Sequence, residues 1–364
     1  MEYVCTRCDS KESAATRSPV CGCGGLWKLD FQPPRFQRDK IRTDMWGIFR
    51  YQAFLPVEEV HCQAVSMGEG MTPVIPFAED LWLKMDYCMP TLSFKDRGAA
   101  VMMAHCRALG TDHVVQDSSG NAGNSVAAYS ARAGIQCDIY VPENTSESKK
   151  RMIQSHGARL QVITGNRDRC ADACRERVDR EGIYYASHVY NPFFYEGTKT
   201  YLYEVYEQMG RIPQTLIIPL GNGTLFLGVM KALEEFLASG IIDKIPRILA
   251  VQSERCDPIA RAMMAGDSSP HAVIPRPTMA EGIAIGKPQR GAEILSVIRR
   301  FGVEVVTAPE NRIMEARSLM ASKGVYIEHT TAATVAAYLV CRKQWGRLPD
   351  CLIPMCGAGI KSDK

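Results

Sequence analysis

The chain has 364 residues, 46% of them hydrophobic and 23% charged, with 43 Lys and Arg against 40 Asp and Glu for a formal net charge of +3. That length and apolar content suffice for two or three domains with a large buried core. Dispersed basic residues, no run long enough to span a membrane and no apolar segment behind a basic start speak against a nucleic-acid or membrane partner and for the cytoplasm.

The chain opens with Cys5-x-x-Cys8 and, across a polar loop, Cys21-x-Cys23 followed by Gly24-Gly25-Leu26. Two thiolate pairs at this spacing can close a tetrahedral structural zinc site and staple a segment, residues 1–30, that is too short to own a core. The second pair has one intervening residue where a zinc ribbon has two, so a metal-free knuckle is the alternative. The remaining cysteines of the 14 are scattered rather than spaced as a disulfide framework, which suits a reducing compartment. Phe31 to Asp44 is rich in Pro, Arg and Gln without periodicity, and residues 31–60 read as an arm or linker of the kind that contacts a partner subunit.

The turn Gly68-Glu69-Gly70-Met71-Thr72-Pro73 leads toward Pro90-Thr91-Leu92-Ser93-Phe94-Lys95-Asp96-Arg97-Gly98, which sets one lysine on a short loop at the mouth of a helix. From Ala99 helical and strand-like runs alternate: 99–109, 113–116, 124–133, 136–141, 146–156, 159–163 and 167–180. Such alternation implies a parallel sheet covered on both faces. Residues 99–190 are the expected small, substrate-side domain, and 61–98 with 191–364 the larger one. Ser118-Ser119-Gly120-Asn121-Ala122-Gly123 follows a strand-like run and opens a helix, and Gly221-Asn222-Gly223-Thr224 repeats that arrangement after Thr215 to Leu220. A glycine-rich turn between strand and helix exposes backbone N–H groups at the positive end of the helix dipole, where an anion binds. One lysine and two anion cradles fit pyridoxal 5'-phosphate holding an amino acid.

On Pro90 to Gly98, Ser118 to Gly123, Asn191-Pro192 with Glu196-Gly197 and Lys199, Gly221 to Thr224, and Cys356 to Lys361, the chain resembles the threonine synthase branch of the fold type II pyridoxal-phosphate enzymes. The resemblance implies an α/β fold of two open, mostly parallel sheet domains flanked by helices, behind the cysteine knuckle. It further implies a homodimeric lyase that eliminates or replaces a group at Cβ or Cγ of a small L-amino acid. Lys95 is then the catalytic lysine, joined to the cofactor as a Schiff base. Backbone amides of Gly221, Asn222, Gly223, Thr224 and Leu225 hold the cofactor phosphate, and Asn121 bonds the ring oxygen. Cys356 stands where the family puts Thr or Ser against the pyridine nitrogen. Ser118, Ser119, Gly120 and Ala122 cradle the substrate carboxylate, with Arg97 and His188 as further substrate ligands.

Two positions depart from the family pattern. Phe194 occupies the place of an arginine that grips the phosphate of phosphohomoserine, and a phenyl ring offers no charge-assisted contact. Ala122 replaces a threonine that assists water addition. A serine or threonine dehydratase, a diaminopropionate-type ammonia-lyase and a cysteate synthase-like enzyme are therefore alternatives to threonine synthase, and a non-catalytic cofactor-binding paralogue is an alternative of another class. In Glu328-His329-Thr330-Thr331 the threonines are expected to cap a helix.

Overall fold

A computed structural model describes residues 1–363; Lys364, the last residue of the expected 191–364 segment, lies outside the described residues. Among the described residues the strands are, in chain order, β1 (Glu2–Cys5), β2 (Lys11–Ser13), β3 (Trp27–Asp30), β4 (Val74–Ala78), β5 (Leu81–Lys84), β6 (His113–Gln116), β7 (Gln136–Pro142), β8 (Arg159–Ile163), β9 (Tyr184–Tyr185), β10 (Thr215–Pro219), β11 (Arg247–Ser253), β12 (Glu304–Ala308) and β13 (Cys351–Pro354). They form three sheets in two compact units, Met1–Met71 with Met89–Thr200 and Thr72–Cys88 with Tyr201–Asp363. No helix of the described residues is long and apolar enough to cross a membrane.

In the first unit β2, β1 and β3 make a small antiparallel sheet. Tyr3, Cys5, Trp27 and Leu29 alternate inward, while Glu2, Lys28 and Asp30 face solvent, as the two-residue period of a strand demands. The cysteine knuckle was legible in the sequence, but this sheet was not, because strands of three or four residues are too short to display a period. The second sheet, ordered β8-β7-β6-β9, is parallel throughout, as the strand–helix alternation predicts. Its core continues into the helix Lys95–Ala108, where Gly98-Ala99-Ala100-Val101-Met102-Met103-Ala104 is buried without interruption. A helix enclosed on all sides shows no apolar stripe.

The boundaries of the units fall elsewhere than the sequence suggests. Ile48, Phe49, Tyr51 and Phe54, within the expected arm, are buried in the body of the first unit. Lys95 also belongs to that unit, because its helix packs against the helices Asn121–Ala133 and Phe193–Thr198.

The second unit carries a six-stranded sheet ordered β12-β11-β10-β13-β5-β4, parallel except for β4 at one edge. All five residues of β10 are buried, which suits a central parallel strand covered on both faces. Lys84, on β5, is enclosed with no exposed surface. Its amine donates to Glu204 Oε2 at 2.7 Å and to the Thr72 carbonyl at 2.6 Å, so the buried charge is paired and hydrogen-bonded.

Candidate cofactor and substrate site

The chain turns sharply into the Lys95 helix. Leu92 N–H donates to the Met89 carbonyl at 2.8 Å, and Leu92 itself adopts φ +60°, unusual for a residue with a side chain. The bend is held by Asp96, fully buried in the first helical turn. Its carboxylate accepts the Thr91 N–H at 2.7 Å, the Thr91 hydroxyl and the Ser125 hydroxyl. Three donors at the positive end of the helix replace the water this carboxylate has lost. Ser125 lies on the Asn121 helix, so Asp96 ties the lysine loop to that helix.

Lys95 is half-buried, with its amine 4.3 Å from the centre of the Phe94 ring and 5.9 Å from that of Phe194. Phe194 is fully buried against Gly98, where a Cβ would come within 2.3 Å of its ring. At Gly197 a Cβ would lie 2.0 Å from the Arg97 carbonyl, so the helix Phe193–Thr198 meets the Lys95 helix backbone to backbone. Bare glycines thereby bring a phenyl ring close to the lysine. Arg97 is fully buried, donating to Thr200 Oγ1 at 3.1 Å.

Asn121 opens its helix directly after β6 and the Ser118–Gly120 turn. A Cβ at Gly123 would overlap the Ser118 carbonyl at 1.7 Å, so the turn closes only on glycine. Ser118 and Ala122 are buried, and Ser119, Gly120 and Asn121 are half-buried. Ser118 Oγ accepts the Gly120 N–H at 3.3 Å, and no side chain caps the helix. The first N–H groups of an uncapped helix are donors for an anion. Two buried polar atoms nearby in sequence, Ser93 Oγ and Asn124 Oδ1, have no hydrogen-bond partner. Orphans of this kind are rare in folded proteins and fit a polar ligand.

His188 is buried, with Nδ1 3.3 Å from Gln116 Nε2. Burial first, then the positive charges of Lys95 and Arg167, hold its imidazole well below the ordinary histidine range. Glu69, in the turn before β4, is fully buried. It accepts the Met67 N–H at 2.8 Å and the Tyr129 hydroxyl at 3.0 Å, the latter from the Asn121 helix, and burial lifts its carboxyl to about 7. Asp96, Gln116 and Glu69 received no role in the sequence reading. Their partners are distant in the chain, and the one local signal was adjacency to the lysine and the turns.

In the second unit Gly221, Asn222 and Gly223 join β10 to the helix Thr224–Ser239, whose start is Thr224 and Leu225. Gly223 has φ +80°, and a Cβ there would lie 2.6 Å from Ile294 Cδ1; at Gly221 it would lie 3.0 Å from the Gly282 carbonyl. This helix too has no side-chain cap. Cys356 follows β13, buried, and its N–H donates to Thr331 Oγ1 at 3.1 Å. The expected capping by Thr330 and Thr331 is not observed: the N-cap of the helix His329–Trp345 is Glu328, whose side chain makes no capping bond. Thr330 and Thr331 lie inside the first turn, past the capping position, so their hydroxyls accept N–H groups of neighbouring loops, Thr330 from Gly282 and Thr331 from Cys356.

In the knuckle, Cys5, Cys8, Cys21 and Cys23 bring four sulfurs within 4.8 Å of one another. Cys5 and Cys23 are 3.4 Å apart and Cys8 and Cys21 3.7 Å. Zn–S bonds of about 2.3 Å in a tetrahedron require sulfurs about 3.8 Å apart, so the donor set fits zinc. The Ser10 hydroxyl lowers the Cys8 thiol, in the direction a metal thiolate needs.

Residues 65–357 match the family described as pyridoxal-phosphate dependent enzyme. The chain is 31% identical over 350 residues to a threonine synthase of Methanocaldococcus jannaschii, covering 91% of this chain and 85% of that one. A threonine synthase of Methanosarcina acetivorans is 30% identical over 349 residues, covering 91% and 84%. Among solved structures a fungal L-serine ammonia-lyase from Rhizomucor miehei shares the fold, with a TM-score of 0.70 at 22% identity over 79% of this chain and 94% of that one. The chain belongs to the threonine synthase family of the fold type II pyridoxal-phosphate dependent enzymes. The α/β fold of mostly parallel sheets, the cofactor and the enzyme class expected from the sequence are those of this family.

Proposed function

We propose that the protein eliminates or replaces a group at Cβ or Cγ of a small L-amino acid. The observation that carries the reading is the setting of Lys95: first residue of its helix, on a loop clamped by three hydrogen bonds to Asp96, with its amine against aromatic faces. When bound, pyridoxal phosphate supplies an electron sink for the charge left at Cα. Lys95 Nζ would hold the cofactor and, once a substrate amine has displaced it, would be the base placed to move a proton at substrate Cα or Cβ. Ser118, Ser119, Gly120 and Ala122 orient the substrate carboxylate on the uncapped helix terminus. Asn121 would steady the ring oxygen, and the amides of Gly221 to Leu225 would hold the phosphate. Cys356 would offer the ring nitrogen a weak, neutral partner. Arg97, buried and donating to Thr200, holds its helix in this reading. The working form in this reading is a cytoplasmic homodimer.

The names of the relatives favour threonine synthase acting on O-phosphohomoserine as one form of this reaction. Phe194, apolar and buried near Lys95, favours the alternative, a dehydratase-type reaction on an unphosphorylated substrate. The cofactor-loaded protein should be assayed with O-phosphohomoserine, L-serine and L-threonine, reading phosphate, threonine and ammonia beside the cofactor's visible absorbance. Lys95→Ala should abolish both turnover and the lysine-bound absorbance; survival of either refutes the assignment.

A further inference from the structure

His188 carries an inference that rests on the function proposed above. Its Nδ1 lies 3.3 Å from Gln116 Nε2, and the other end of that amide is fixed, because Gln116 Oε1 accepts the Asp117 N–H at 2.6 Å. A carboxamide nitrogen only donates. Nδ1 therefore accepts, and the proton of the neutral ring sits on Nε2. A second proton, on Nδ1, would confront the amide N–H at a site with no exposed surface on Gln116 to relieve it. Asp117, the charged neighbour of Gln116, is engaged by the Tyr185 hydroxyl at 2.8 Å, and the other charges acting on the ring, Lys95 and Arg167, are positive.

The His188 ring centre is 5.9 Å from that of Phe194, which in turn is 5.9 Å from the Lys95 amine. Phe194 thus neighbours both the lysine amine and the imidazole, an apolar face next to a ring whose Nε2 carries a neutral N–H. A dianionic phosphate binds through several charge-assisted donors, whereas a hydroxyl oxygen is satisfied by one neutral donor. We infer that His188 is a specificity-determining residue whose Nε2–H donates to the side-chain oxygen of a small hydroxy amino acid. Gln116 is the positioning residue that keeps the ring in this tautomer.

The test combines a tautomer measurement with kinetics on the holoenzyme. Nitrogen-15 NMR of labelled histidine, assigned by loss of the signal in His188→Asn, should show Nε2 protonated and Nδ1 bare from about pH 6 to about pH 8. In His188→Phe, kcat/KM for L-serine and L-threonine should fall roughly 10-fold to 100-fold, with partial recovery in His188→Asn, which keeps an N–H donor. Gln116→Glu places an acceptor against Nδ1, so it should protonate that nitrogen and bring a new limb into the pH profile near neutrality. A protonated Nδ1 in the wild type overturns the inference, and so do unchanged serine and threonine kinetics in His188→Phe. A wild type that holds its cofactor on Lys95 and acts on O-phosphohomoserine but on neither hydroxy amino acid overturns it while leaving the proposed function standing. Turnover of none of the three overturns the inference, and absence of the lysine-bound absorbance as well would overturn the proposed function with it.

Discussion

Replacing Glu69 by Gln should flatten a pH dependence of stability that the wild-type chain carries. Burial raises this carboxyl from 4.5 to about 7, and with no exposed surface solvent does not screen the effect. A tenfold change in proton affinity is worth about 1.4 kcal/mol, so the difference between the folded and unfolded chain amounts to about 3 kcal/mol. The folded pKa lies above the unfolded one, so the unfolded chain releases the proton first. The contribution is therefore full below about pH 4.5, declines as the pH rises, and is gone above about pH 7. Gln keeps the shape and one acceptor without titrating, and any fixed penalty from its amide cancels when two pH values are compared. Urea unfolding of both proteins near about pH 5 and about pH 8 should show the stability difference moving by about 2.5 kcal/mol in favour of Glu69→Gln at the higher pH. A difference that stays constant, or moves the other way, would refute the claim that burial raises the Glu69 carboxyl to about 7.

Asp96→Ala strands the Thr91 N–H and two hydroxyls in the interior, so it should cost about 3 kcal/mol or more and reduce the lysine-bound cofactor absorbance; unchanged melting and absorbance would show that the clamp is dispensable. Gly98→Ala drives a methyl into Phe194, at a cost of about 2 kcal/mol, and Phe194→Ala should recover part of that loss in the double variant; strictly additive effects in the cycle would exclude the contact. Elemental analysis should find about one zinc per chain, lost in Cys21→Ser, and stoichiometric zinc surviving that change would exclude a four-sulfur site. Gly25→Ala should also weaken zinc retention, because its Cβ would stand 2.5 Å from Cys5 Sγ; undiminished affinity would show that the knuckle can yield there.

Much of the candidate site could be read without coordinates because its parts are local. Glycines between a buried strand and a helix, as at Ser118–Gly123 and Gly221–Gly223, announce a turn whose backbone N–H groups are open, and Lys95 stands at a loop-to-helix junction within a few residues of its own motif. The paired cysteines are separated by one or two residues, so their chelating geometry is nearly a property of the peptide alone. Capping failed as a prediction at Thr330 and Thr331 because the N-cap is Glu328, two residues before Thr330, which moves both hydroxyls from the cap onto neighbouring loops.

By itself the sequence determined the class of chemistry: alternating apolar runs dictate a parallel α/β sheet, and residues adjacent in the chain build the lysine loop and the glycine turns before two uncapped helices. Only the tertiary structure decided what surrounds them. Asp96 reaches Ser125, Glu69 reaches Tyr129, Gln116 reaches His188 and Gly98 meets Phe194 across separations of 29, 60, 72 and roughly 100 residues. Burial depends on which distant segments cover a group. It therefore raises the Glu69 carboxyl, lowers the His188 imidazole and encloses Arg97 beside Thr200.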